Sequence, residues 1–188
     1  MRKIFSLFAL FVVFFSMQNC SAALSKTGVL IIAPIEFKSQ DFLKIATEQF
    51  GKEYNISQGL QDDWATYCWD KGYEVSDPTV RKETLADFSK TTHFDKLIFI
   101  IFKDVGKITE DIGASVTFSM FGAHRREKVR RRTHIDARIV ITNVDGETLK
   151  IFEETYTDAS MASELRANRG AFEGLCKNIV KRLSDKEN

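Results

Sequence analysis

The sequence predicts an α/β fold, specifically a two-layer sandwich of a mixed sheet with helices packed on it and an antiparallel meander in the C-terminal half. Two continuous apolar runs, residues 29–33 and 97–102, are typical of strands buried on both faces. Residues 114–120 and 135–141 instead alternate apolar with polar side chains, which is typical of half-exposed antiparallel strands. The change of period along the chain therefore predicts both the sheet and its mixed character.

Three helices are predicted between the two apolar runs. Ser39 and Ser57 each precede apolar residues that recur at three- and four-residue intervals, and both can cap a helix. Asp77-Pro78 suits the N-cap and first residue of the third helix.

A hairpin turn and a closing helix complete the predicted fold. Gly146, within the stretch Asn-Val-Asp-Gly-Glu, can take the positive φ that such a turn requires. Residues 160–183 then carry one apolar stripe at helical spacing.

The first 23 residues have the organisation of a signal peptide. Arg2 and Lys3 precede the apolar residues 4–17, which are too few for the roughly 20 residues of a membrane-spanning helix. The residues before Cys20 lack the pattern of a lipoprotein cleavage site, so lipid attachment is disfavoured. We expect residues 1–23 to be removed, leaving residues 24–188 as a single α/β domain that is periplasmic or secreted.

A strongly basic segment, residues 124–132, stands out in a chain whose formal net charge is only +1. It reads His-Arg-Arg-Glu-Lys-Val-Arg-Arg-Arg, and we expect it to connect two antiparallel strands. Arginine side chains bind phosphate and carboxylate groups through paired hydrogen bonds. The candidate partner-binding or anion-binding residues are Arg125, Arg126, Lys128, Arg130, Arg131, Arg132 and Arg138.

The expected partners of this segment are anionic lipid headgroups, an anionic envelope polymer or an envelope protein. Nucleic acid fits the chemistry but not an exported compartment. The alternative is a solvated hairpin whose charges keep an edge strand from aggregating.

The aromatic residues Trp64, Trp69 and Tyr73 fall within ten positions, more ring surface than one helical stripe can bury. They suggest an exposed aromatic face suited to a partner protein or a sugar. Packing between two helices is the alternative.

Cys68 and Cys176 are the two cysteines that remain after removal of the signal peptide. An exported chain with an even number of cysteines can form a disulfide. Because both also occupy apolar helical positions, two buried free thiols are the alternative.

Catalytic and cofactor motifs are absent from the sequence. It contains no Gly-x-Ser-x-Gly, no Gly-rich phosphate loop and no His-Glu-x-x-His, and its three histidines do not suggest a metal site. His134 and Asp136 are the best-placed polar pair for a reaction, because alternate strand residues share a face. We therefore predict no cofactor, and an enzyme acting on envelope polymers is the second hypothesis.

The order of these elements and the stretch Ala-Arg-Ile-Val-Ile-Thr-Asn-Val-Asp-Gly-Glu-Thr-Leu, residues 137–149, resemble the anticodon-binding-like α/β domain of exported bacterial proteins. That group includes the amino-terminal domain of the Tol propeller protein, the curli secretion lipoprotein and the lipoprotein activators of penicillin-binding proteins. The pattern shows none of the long added hairpins that a secretion pore would need. The resemblance implies a small non-catalytic module that docks onto other envelope components; a self-associating structural protein is a further alternative.

Overall fold

The computed structural model describes residues 27–119 and 122–185. The expected signal peptide, residues 1–23, lies outside these ranges.

A five-stranded mixed sheet forms the centre of the molecule, in the order β2-β1-β3-β4-β5. β1 is parallel to both β2 and β3, whereas β3, β4 and β5 form an antiparallel meander. The predicted fold class is confirmed. The strands are β1 Thr27–Ile32, β2 Tyr54–Asn55, β3 Lys96–Ser119, β4 Gly122–Asn143 and β5 Thr148–Ser160.

Four α-helices of the described chain cover the sheet: α1 Gln40–Phe50, α2 Gln58–Lys71, α3 Lys82–Thr91 and α4 Glu164–Ser184. α1 and α4 pack on one face and α2 and α3 on the other, so the helices form two outer layers where a single helical layer was expected. The reason is that β1 and the first part of β3 are apolar on both sides and need cover on both. None of the helices in these ranges is long and apolar enough to span a membrane.

The third helix begins later than the sequence suggested. Asp77 does not cap it: its Oδ1 accepts hydrogen bonds from the backbone N–H and the hydroxyl of Thr79, both at 2.7 Å. This local turn competes with helix formation, and α3 starts at Lys82.

The β3–β4 hairpin is much longer than predicted. Backbone pairing runs from Lys96 opposite Asn143 to Ser119 opposite Gly122, interrupted on β3 by two bulges. The expected absence of long hairpins was therefore wrong, and so was the placement of the basic segment in a connection, because residues 124–132 lie within β4. A strand can continue through such residues because alternate side chains reach solvent on either face.

Gln61 of α2 hydrogen-bonds to the outer edge of β1 as a neighbouring strand would. β2 pairs only with Thr27 and Gly28, so no strand of the described chain lies beside the rest of that edge. The Gln61 Oε1 accepts a hydrogen bond from the Ile31 N–H at 3.0 Å, and its Nε2 donates to the Val29 carbonyl oxygen at 3.2 Å. A side-chain amide thus satisfies one backbone donor and one acceptor of a buried strand.

Two glycines are required by their surroundings. Gly146 has φ +81 in the predicted β4–β5 turn, where its N–H donates to the Asn143 carbonyl oxygen at 3.0 Å. Gly174 of α4 lies against the ring of Tyr156 on β5, and a Cβ added there would overlap that ring. The close approach of α4 to the sheet therefore depends on the absence of a side chain at position 174.

Replacing Gln61 by Leu should lower the free energy of unfolding by about 1–3 kcal/mol, because it leaves a backbone donor and acceptor of β1 unpaired. Chemical denaturation measures this loss. Gln58→Leu is the control, since Gln58 is exposed on the same helix and, within the described chain, hydrogen-bonds to the side chains of Gln40 and Asp62 and to no backbone group. Equal stability of the two variants would contradict the role given to Gln61.

Gly174→Ala should destabilise the protein by about 1–3 kcal/mol through overpacking. Combining it with Tyr156→Ser should recover part of the loss, because the overlapping ring is removed. Gly59→Ala in α2 is the control: the nearest atom to its added Cβ is 4.0 Å away, so the higher helix propensity of Ala should leave stability equal or increased. Thermal melting of the four proteins tests the packing, and an unchanged Gly174→Ala variant would refute it.

Candidate functional site

The outer part of the β3–β4 hairpin forms a two-stranded ribbon, defined as residues 110–119 of β3 and 122–130 of β4. Pairing of β3 with β1 ends at Ile101, and pairing of β4 with β5 ends at Arg131 opposite Ser160. Beyond these points the two strands pair only with each other among the described residues. At about 3.3 Å per residue the ribbon is about 30 Å long.

Strand pairing distributes the basic side chains over the two faces of the hairpin. Arg130 pairs with Glu110 and Arg132 with Ile108, on the sheet face that α2 and α3 cover elsewhere. Arg131 lies between them in sequence and pairs with Thr109 and Ser160, on the face of α4. The predicted cluster is therefore split, with Arg131 pointing away from Arg130 and Arg132.

Only part of the basic charge is neutralised within the described chain. The Arg132 Nε lies 3.3 Å from Glu110 Oε2. No ion pair joins Lys128, Arg130 or Arg131 to any acidic residue whose side chain the structure describes. These three cations remain available for a partner. Arg125 and Arg126 also belong to β4, but their side chains lie outside the described part.

Arg138 does not belong to this surface, contrary to the sequence-based expectation. Its Nη2 donates a 2.8 Å hydrogen bond to the Val80 carbonyl oxygen, and its Nε is buried without a hydrogen-bond partner among the described residues. The guanidinium group links β4 to the segment before α3, so we assign Arg138 a structural role.

His134 and Asp136, the pair considered for catalysis, are each engaged separately. The His134 Nδ1 lies 2.8 Å from the Thr157 hydroxyl. Asp136 Oδ2 lies 3.5 Å from Lys103 Nζ, which also bonds Glu153 Oε1 at 2.9 Å. These carboxylates raise the pKa of Lys103, Glu153 most of all. The arrangement is that of a polar sheet surface with internal ion pairs.

The expected aromatic face is divided by burial. Trp64 is in the core, where its indole N–H donates to the Val75 carbonyl oxygen at 3.0 Å, so its place in an exposed face was wrong. Trp69 and Tyr73 are 81% and 48% exposed, respectively. Helical periodicity explains the difference: Trp64 and Cys68 share the inward side of α2, and Trp69 lies about 100 degrees further round.

No disulfide joins Cys68 and Cys176. Both are buried free thiols, and they lie in separate hydrophobic clusters on opposite faces of the sheet. Burial raises the pKa of Cys68 to about 11 and also raises the pKa of Cys176. Neither thiol is therefore a ready nucleophile, because the thiolate is the reactive form.

Two exposed isoleucines were missed as functional candidates. Ile108 and Ile112 are 56% and 40% exposed, and both lie on the outer half of β3. Their spacing of four residues would place them on one face of a strand, but residues 103–113 were not recognised as a strand. One signal was available: no Pro and no turn motif separates the predicted strand at residues 97–102 from the one at 114–120, which is consistent with a single continuous strand.

Among the side chains that the structure describes, residues 27–116 and 127–185, no group of three or more acidic, histidine or cysteine residues could hold a metal ion.

Comparison with models of known protein families gives no match, and neither does comparison with curated proteins. Among solved structures, the chain is similar to lipoprotein GNA1162 from Neisseria meningitidis, with a TM-score of 0.43 and 12% identity over 85% of this chain and 99% of that chain. It is also similar to a minor lipoprotein from Acinetobacter baumannii, with a TM-score of 0.35 and 9% identity over 85% and 92% of the two chains. At these TM-scores the likeness carries no conclusion about function, and the family resemblance stays a prediction.

Native Cys68 and Cys176 should resist alkylation at pH 8, because both thiols are buried and protonated. After denaturation both should react, without prior reduction. Peptide mass spectrometry of iodoacetamide-treated protein measures each site. Labelling of either thiol only after a reductant is added would reveal a disulfide and contradict this arrangement.

Proposed function

We propose that this chain is an exported, non-catalytic module of the cell envelope that binds an anionic partner through the ribbon. The observation that carries the proposal is a set of three cations that form no ion pair with an acidic residue whose side chain the structure describes: Lys128 and Arg130 on the ribbon and Arg131 at its base. A local excess of positive charge in a nearly neutral chain attracts anions to one end of the molecule.

The form of the hairpin supports binding more than simple solubility. Edge strands are usually protected by charged residues or by being short, whereas this hairpin is long and carries Lys128 and Arg130 on one face and Arg131, at the base of the ribbon, on the other. Its position outside the helical layers also lets a large partner approach without displacing the core. The signal-peptide pattern of residues 1–23 supports a location in the cell envelope.

The properties of the polar residues favour binding over the enzymatic alternative. His134 and Asp136 are committed to different neighbours, and both thiols are buried. A catalytic base or nucleophile should instead be oriented by a second group toward an accessible space.

Charge reversal at Lys128, Arg130 and Arg131 should weaken binding to anionic probes by at least about tenfold, because attraction becomes repulsion. The probes are soluble polyphosphate, measured by titration calorimetry, and vesicles containing phosphatidylglycerol, measured by co-sedimentation. Wild-type binding should also decrease as the salt concentration rises.

The matched control reverses Lys52, Lys71 and Lys82, which are exposed outside the ribbon and change the net charge by the same amount. Circular dichroism should show that both triple variants are folded. If both triple variants lost the same binding affinity, the effect would come from net charge and not from the ribbon, which would contradict the proposal. Failure of the wild type to bind either probe would also refute it.

A further inference from the structure

The ribbon and its base present apolar side chains beside the cations. Ile108 and Ile112 form an exposed apolar pair on one face of β3, and Val116, also exposed, pairs with Arg125 on the opposite face. Leaving branched aliphatic side chains in water is unfavourable unless another surface covers them.

Strand register places these isoleucines on the same face as two of the unpaired cations. Ile108 lies opposite Arg132, and the bulge between Asp111 and Ala114 sets Ile112 and Gly113 opposite Lys128. Gly113, with φ +106, allows the chain to make this bulge. Because alternate residues of β4 share a face, Lys128 and Arg130 flank the two isoleucines.

A binding surface for a soluble polyanion needs the cations but gains nothing from the isoleucines. A lipid surface uses both: aliphatic side chains enter the boundary between headgroups and acyl chains, while long Lys and Arg side chains reach back to the phosphates. Glu110 pairs with Arg132, so Lys128 and Arg130 form no ion pair with any described acidic side chain on this part of the hairpin.

We propose that the anionic partner is a lipid surface, on which this face of the hairpin lies with Ile108 and Ile112 at the headgroup boundary and Lys128 and Arg130 on lipid phosphates. This inference rests on the proposed function and names its partner class. The contact is peripheral, since it involves one face of a hairpin whose core end remains packed in the sheet.

The test compares vesicles of phosphatidylglycerol and phosphatidylcholine, vesicles of phosphatidylcholine alone, and soluble polyphosphate. Wild-type protein should bind the anionic vesicles and not the neutral ones. Ile108→Thr with Ile112→Thr should weaken vesicle binding by about tenfold, because less apolar surface is buried, and should leave polyphosphate binding unchanged. Threonine keeps the β-branched shape that suits a strand.

The control is Leu149→Thr with Ile151→Thr, a second exposed apolar pair at the opposite end of the sheet, on β5. It should bind vesicles as the wild type does. Polyphosphate binding without vesicle binding would overturn the lipid inference and leave the proposed function standing. The lipid inference would also be overturned if the isoleucine changes left vesicle binding unchanged, or if the control reduced it equally. If the wild type bound neither vesicles nor polyphosphate, both proposals would be overturned.

Discussion

The antiparallel pairing of β3 with β4 is the interaction on which the rest of the structure depends. At one end these strands lie in the middle of the sheet, with β1 on one side and β5 on the other. There Phe99, Ile100 and Ile101 are completely buried between the two helical layers. At the other end the same two strands form the ribbon. The packed core therefore fixes the direction of the ribbon without a separate linker.

This continuity explains how one hairpin serves two purposes. Its inner half is stabilised by apolar side chains on both faces, and its outer half is held mainly by strand pairing, with the Glu110–Arg132 ion pair between the two strands. Isolated two-stranded hairpins are marginally stable in water. Anchoring in a five-stranded sheet removes much of the entropic cost of forming the outer half, so charged residues are tolerated there.

The spacing of apolar residues along the sequence was sufficient to predict the strands and turns whose side chains are buried in a regular pattern. The two apolar runs became β1 and the inner part of β3, and Gly146 formed the predicted turn. Alternation also predicted the strand at residues 114–119, which belong to the outer part of β3. Residues 103–113 and 124–132 were missed as strands, because they lack the regular apolar and polar alternation that identifies one. Pairs such as Glu110 and Arg130 have no local signature, since their proximity is created by long-range register.

The separation of the two thiols by the sheet gives the protein two internal reporters of local motion. Cys68 is carried by α2 on one face of the sheet, and Cys176 is carried by α4 on the other. Exchange of each thiol with solvent requires its own helical layer to open, at a cost in free energy that can differ between layers. If the layers open independently, the two thiols will exchange at rates with different dependence on denaturant. A shared dependence would mean that the sheet couples the two halves of the core into one cooperative unit.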